Sequence, residues 1–250
     1  MQDQSWLTAR PVAHRGLHDI SRGIVENMPS AIEAAIARSF SIEVDLQLTA
    51  DGDAVVHHDD ALGRLNEGSA ALTELTVDQL KAVKFKNTAE RIMTLSDLLG
   101  IVAGRVGLVL ELKSHYDYDR KLVERVAQVL ASYPGPVVAM SFDPNQIAIL
   151  KDIAPQIRRG IVAERDYYSD PEWNVLTSRQ KFEMTALRHA FRTQPDFVAY
   201  SISDLPAPAP WIARHVFGRP LLTWTVRTPE QRARARSHAD QMIFEGFVPE

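Results

Sequence analysis

Ser41-Ile42-Glu43-Val44-Asp45-Leu46-Gln47-Leu48 sets acidic residues two places apart in an otherwise apolar, partly β-branched run. Side chains two apart on a strand share a face, so Glu43 and Asp45 point the same way. Similar short runs recur along the whole chain. They lie at Arg10 to His14, at Ala54 to His58 as a short extension after the first-quoted run, and at Val106 to Lys113, Val137 to Phe142 and Arg159 to Ala163. Phe197 to Ile202, Leu221 to Val226 and Gln241 to Glu245 complete the set. Helix-like stretches stand between them, at Pro29 to Ser39, Asp119 to Tyr133, Pro144 to Ile153 and Pro229 to His238. Strict alternation of this kind predicts a parallel sheet. Eight principal strands favour a closed (β/α)8 TIM barrel over an open doubly wound sheet.

Turn signals fall where that reading needs them. Asp51-Gly52 precedes the strand extension, Pro134-Gly135-Pro136 the fourth strand, and Gly218 with Pro220 the seventh. No internal repeat or linker-like break interrupts the chain, which predicts a single domain over residues 1–250. Two segments exceed simple connections, Asp59 to Arg105 and Glu164 to Thr185, and long loops at strand ends often carry function. Little sequence follows the last strand, so the eighth helix is expected to be incomplete or missing.

The 250 residues are 45% hydrophobic and 24% charged, an ordinary globular balance. A formal net charge of −4 provides no basic field for a nucleic-acid backbone, so no nucleic-acid partner is expected. The absence of cysteine excludes disulfides, thiol catalysis and zinc–thiolate sites together. Residues 1–10 lack the apolar core of a signal peptide, and no apolar run approaches the ~20 residues that span a bilayer. The expectation is a soluble, cytoplasmic protein with no stable membrane insertion; a homo-oligomer stays open.

Active sites of such barrels lie at the C-terminal ends of the strands. Those ends read His14-Arg15-Gly16, Glu43-Val44-Asp45, His57-His58-Asp59 and Glu111-Leu112-Lys113, each polar where the preceding residues are apolar. Three carboxylates converging near a barrel mouth repel one another and suffer desolvation unless a cation neutralises them. An all-oxygen set suits a hard divalent ion, Mg²⁺ or Ca²⁺, better than zinc. Against this stands a plainer reading, in which the Glu-x-Asp pair binds neighbouring Lys or Arg side chains and the histidines are loop residues. Periodicity alone does not choose between His57 and His58, which face opposite sides of a strand.

Ala13-His14-Arg15-Gly16, Glu26-Asn27 before a helix, Ile42-Glu43-Val44-Asp45 with Gln47-Leu48-Thr49-Ala50-Asp51-Gly52, and Val55-Val56-His57-His58-Asp59 together resemble the glycerophosphodiester phosphodiesterase family. The likeness continues through Leu62 and Arg64, Glu111-Leu112-Lys113, Ser141-Phe142-Asp143-Pro144 and Thr223-Trp224-Thr225-Val226. It implies a (β/α)8 barrel, one divalent cation with Mn²⁺ as a further option, and hydrolysis of a small-molecule glycerophosphodiester to glycerol 3-phosphate and an alcohol. By that resemblance His14 and His58 are the acid–base pair and Glu43, Asp45 and Glu111 the metal ligands. Arg15 and Lys113 match the positive residues at the phosphate. His58 precedes the Asp-x-x-Leu-x-Arg pattern as the family histidine does, which leaves His57 as a packing or surface residue.

Phe142 and Trp224, at strand ends, are candidates for an apolar wall that binds the glycerol or alcohol moiety, with barrel filling as the alternative. Tyr167, Tyr168 and Trp173 are open to three readings: a lid, a headgroup contact or a dimer contact. Near the end the chain departs from the family pattern of Ile-Thr-Asp-x-Pro and reads Ile243-Phe244-Glu245-Gly246-Phe247-Val248-Pro249, keeping a carboxylate at Glu245. A lysophospholipase-D-like or phosphoinositide phosphodiesterase on the same barrel is the alternative activity. A non-catalytic phosphodiester-binding module would predict loss of a histidine or carboxylate, and all are retained.

Overall fold

The computed structural model describes residues 5–169 and 171–249. Its strands in chain order are β1 (Val12–Ala13), β2 (Ser41–Leu48), β3 (Ala54–Val56), β4 (Met93–Thr94) and β5 (Leu108–Leu112), followed by β6 (Val137–Ser141), β7 (Arg158–Ala163), β8 (Phe197–Ser201), β9 (Leu221–Val226) and β10 (Gln241–Phe244). All but β3 and β4 pair in parallel, in the order β1-β2-β5-β6-β7-β8-β9-β10, and β10 pairs back onto β1. The expected eight-stranded barrel is therefore closed. β3 runs antiparallel to the far end of β2, and β4 antiparallel to β3, as an outward extension of one wall.

Alternation along each strand divides the protein into two apolar layers. Leu108, Leu110 and Leu112 of β5 face outward and pack with helix residues such as Val123, Val126 and Ile147. Val109, between them, faces inward with Val138, Val162, Leu222 and Ile243. Strands buried on both faces need apolar residues on both, hence the near-continuous apolar runs. The polar exceptions, at the C-terminal strand ends, are the residues that build the site.

Helix starts follow the local chemistry. Thr94 and Asp97 cap the helix Leu95–Val102 reciprocally, with backbone-to-side-chain bonds of 3.1 and 3.0 Å. Asp143 accepts the Asn145 N–H at 2.8 Å and Pro144 opens the helix Pro144–Ile153. The long segment after β3 contains the short helix Val77–Ala82, β4 and the barrel helix Leu95–Val102, and the segment after β7 contains helices Ser178–Thr185 and Ala190–Thr193. Among the described residues no helix follows β10.

Two features were not foreseen. A short helix, Ser5–Ala9, lies beneath the barrel, with Leu7 fully buried in the interior layer and Trp6 packed beside it. Gly107 makes room for it, since a Cβ there would lie 2.1 Å from the Trp6 ring. The strand expected at Arg10 to His14 is shorter, because the chain turns out of β1 at once: Arg15 has φ 55° and Gly16 φ 81°. Glycine is required at position 16 twice over, by that left-handed backbone and by contact with Ala31, whose atoms would lie 2.9 Å from a Cβ.

Candidate active site

The C-terminal face of the barrel opens into a cavity of about 550 Å³. His14, Arg15, Glu43, His58, Glu111 and Lys113 line it, as do Phe142 and Trp224. Asp45 lies just beneath the surface, fully buried, and completes the acidic group: one oxygen each from Glu43, Asp45 and Glu111 fall within 4.8 Å of one another. The register explains this, because Asp45 and Glu111 are parallel partners on β2 and β5, while Glu43 lies one inward position lower on β2.

The acidic group meets two cations. Lys113 Nζ lies 2.6 Å from Glu111 and 3.1 Å from Asp45. The backbone N–H of Arg15 donates to Glu43 at 3.1 Å, and its guanidinium lies 3.3 Å from Asp45 and 2.7 Å from Glu26. Asn27, itself at φ 59° and buried, donates to Asp45 at 3.0 Å. These partners set opposite protonation tendencies in adjacent carboxyls. Burial opposes ionisation of Asp45, yet the charges of Lys113 and Arg15 outweigh it and hold this carboxyl well below the usual carboxylate range. Burial pushes Glu43 well above that range, and the charges of Asp45 and Glu111 push it further. Oε1 of Glu43 is buried without a hydrogen-bond partner. A buried, oxygen-only donor set with an unsatisfied carboxylate oxygen fits a hard divalent cation, in which case Glu43, Asp45 and Glu111 would hold it.

Each cavity histidine is oriented from behind by a carboxylate. His14 Nδ1 contacts Glu245 at 2.5 Å, and its Nε2 lies 3.9 Å from Glu43. His58 Nδ1 contacts Asp59 at 2.8 Å. Asp59 continues into a chain of ion pairs, through Arg64 at 2.8 Å, Glu26 at 2.7 Å and Arg15 at 2.7 Å, back to Asp45. Burial opposes ionisation of Glu26, but the hydrogen bonds and charges of Arg64 and Arg15 prevail and bring its carboxyl down to about 2. His57, by contrast, lies away from the cavity and is 2% exposed; its ring is held by the Asp59 carbonyl at 2.9 Å and Asn66 at 3.3 Å.

The aromatic wall is larger than the sequence suggested. Phe142 meets Trp224 edge to face at 5.3 Å and Trp173 at a tilt at 5.0 Å, and Trp173 also lines the cavity. Tyr167 is buried behind Trp173 at 5.2 Å, whereas Tyr168 is 68% exposed. Phe142 and Trp224 both line the cavity and pack on the barrel's interior layer. Glu164, Asp166 and Asp204 complete the far side of the cavity, and none of them carried a motif in the sequence.

A closed parallel barrel whose mouth gathers two histidines, three carboxylates and two cations defines a class of hydrolytic sites rather than one enzyme. The comparisons narrow it. The model of the glycerophosphoryl diester phosphodiesterase family matches residues 14–244, and the chain belongs to that family of phosphoric diester hydrolases. A glycerophosphodiester phosphodiesterase of Caldanaerobacter subterraneus subsp. tengcongensis is 29% identical over 163 residues, covering 60% of this chain and 65% of that relative's length. Rat glycerophosphodiester phosphodiesterase 1 is 23% identical over 91% of this chain and 74% of its own. Among solved structures, an Oleispira antarctica phosphodiesterase in complex with sn-glycerol-3-phosphate superposes with a TM-score of 0.76 at 19% identity, over 94% of this chain and 92% of that one. That likeness bears on the fold.

Proposed function

We propose that the protein hydrolyses a glycerophosphodiester to glycerol 3-phosphate and an alcohol, with His14 and His58 as the acid–base pair and one divalent cation held by Glu43, Asp45 and Glu111. The observation that carries this reading is the meeting of both histidines with Arg15, Lys113 and the acidic group around one cavity. A bound Mg²⁺, Ca²⁺ or Mn²⁺ would supply Lewis acidity and positive charge at the phosphoryl oxygens.

The chain's own residues have distinct tasks. Lys113 has three N–H donors, two of which are aimed at Glu111 and Asp45, so one remains for a phosphoryl oxygen. Arg15 spends Nη1 on Glu26 and Nε near Asp45, which leaves Nη2 for the same charge. Both are fixed before substrate arrives, so they stabilise developing charge without reorganisation. With Nδ1 tied to a carboxylate, each histidine keeps Nε2 for proton transfer, a contribution of typically ~10²–10⁴-fold per group. Phe142 and Trp224 offer apolar faces to the carbon skeleton of the substrate.

The test is to incubate purified protein with glycerophosphocholine, glycerophosphoethanolamine, glycerophosphoinositol and lysophospholipids, with and without added cations. Release of glycerol 3-phosphate from the water-soluble diesters is the expected result. Turnover of lysophospholipids alone would replace the reading with the lysophospholipase-D alternative.

A further inference from the structure

The outer surface carries one concentrated apolar patch. Of the twelve large hydrophobic side chains exposed among the described residues, four fall within seven positions: Trp211, Ile212, Val216 and Phe217, each 42 to 63% exposed. They lie on the helix Pro208–His215 and the turn that follows it. Trp211 meets the His215 ring at 5.0 Å one turn on, and Ile212 and Val216 form the neighbouring i, i+4 pair, so the face is continuous. Single exposed apolar residues need no explanation, but a contiguous group marks a contact surface. The helix returns from the mouth side of β8 to the start of β9, which places Val216 and Phe217 at the end of the barrel opposite the cavity. The surroundings are cationic although the chain is not. Residues 205–239 hold six arginines and one acid, Glu230, a net charge of +5 in a protein whose total is −4. Arg219 is exposed two residues after Phe217. Its charge reaches Arg159 on β7, whose pKa burial lowers and Asp196 raises, with the charges of Arg158 and Arg219 adding to the lowering. Two acids fixed at this end are already engaged, Asp240 by Arg214 and Asp196 by Arg158, both at 2.7 Å.

We propose that this face docks the protein onto an anionic phospholipid surface, with Trp211, Ile212, Val216 and Phe217 entering the headgroup layer and Arg219 and its neighbouring arginines meeting the lipid charge. Tryptophan is suited to that depth, because its ring is apolar and its N–H finds polar partners there. Buried apolar area and attraction of basic side chains to anionic lipid act together in such a contact. Among the described residues no helix is long and apolar enough to cross a membrane, so the contact is peripheral. Charge complementarity separates a lipid surface from a second copy of the chain. A two-fold contact through this patch lays it against itself and sets arginine against arginine, which costs affinity. An anionic surface meets the same residues with the opposite sign. Because the cavity opens at the other end of the barrel, the docked protein keeps its mouth towards water. The inference is therefore independent of what the cavity cleaves.

The experiment is sedimentation of the purified protein with vesicles of phosphatidylglycerol and phosphatidylcholine, and with vesicles of phosphatidylcholine alone. The variants are Trp211→Ser combined with Phe217→Ser, and separately Arg219→Gln. All three side chains are exposed, and circular dichroism checks that each variant is folded. The expected result is binding to the anionic vesicles about tenfold tighter than to the neutral ones, weakened as salt is raised. The aromatic double variant should bind about tenfold more weakly, and Arg219→Gln about fivefold. The salt and lipid comparisons use the unaltered protein, so they stand even if a variant is unstable. No binding to either vesicle, equal binding to both, or binding undiminished in both variants overturns the proposal. A concentration-dependent dimer in sedimentation velocity, abolished by the same substitutions, assigns the face to a second copy and also overturns it.

Discussion

His14 and Glu245, 231 residues apart, meet at 2.5 Å across the junction where β10 closes onto β1. The carboxylate fixes the tautomer and orientation of the imidazole, as the buried aspartate does behind the histidine of a Ser-His-Asp triad. Burial lowers the His14 pKa, while the hydrogen bond to Glu245 works in the opposite direction. Glu245→Gln keeps the length of the side chain and removes its charge. We expect kcat to fall about tenfold to a thousandfold with little change in KM, read by steady-state kinetics. Unaltered kcat would mean that His14 needs no such support.

The proposed cation among Glu43, Asp45 and Glu111 is tested by its removal. Chelation should abolish turnover, and Mg²⁺, Mn²⁺ or Ca²⁺ should restore it. Calorimetric titration should register one binding event, weakened in Glu43→Gln and Glu111→Gln. Full turnover of a chelated, metal-free sample would sink the assignment.

Adjacent histidines should separate by kind of effect. His58→Ala removes a group facing the cavity and should lower kcat by ~10²–10⁴-fold. His57→Ala leaves Asn66 and the Asp59 carbonyl without their ring partner inside the protein, at a cost of roughly 1–3 kcal/mol in stability and only a few-fold in turnover. Denaturant titration and kinetics on the two variants distinguish these outcomes, and an exchange of the two phenotypes would contradict the geometry.

Glu26 gives a pH signature of stability. Its carboxyl is brought from the usual 4.5 to about 2, because Arg64 and Arg15 prevail over burial. A carboxyl depressed in the folded state stabilises it above the unfolded value, and that contribution fades as pH falls from about 4.5 towards 2. Glu26→Gln should therefore cost roughly 1–3 kcal/mol at pH 7, with the gap to the unaltered protein narrowing across that window. Denaturant unfolding at a series of pH values checks this; a constant gap would show that Glu26 titrates normally.

The readable and unreadable parts of the sequence differ in range. β/α alternation and the strand-end polar residues are local patterns, so the barrel and the positions of His14, Glu43, Asp45, His58, Glu111 and Lys113 could be read from neighbours along the chain. Glu245 behind His14 could not, since it depends on which strand closes the barrel. The family pattern departs just there, which concealed that the retained carboxylate has a partner. Trp173 was visible as an aromatic in a long loop, but only the fold of that loop brings it to Phe142. The Ser5–Ala9 helix was hidden for another reason: five residues carry too short an apolar period to announce a helix. Its burial under β5 depends on Gly107, whose missing side chain is silent in a hydrophobic pattern.

That small helix also shapes traffic through the molecule. Among the described residues, Trp6 and Leu7 fill the floor and Val109, Val138, Val162 and Leu222 pack above them, so the cavity at the C-terminal face is closed from below. On the proposed reading, an alcohol and a phosphate ester formed there would leave by the side on which the diester entered, and either product would be expected to compete with the diester in steady-state kinetics.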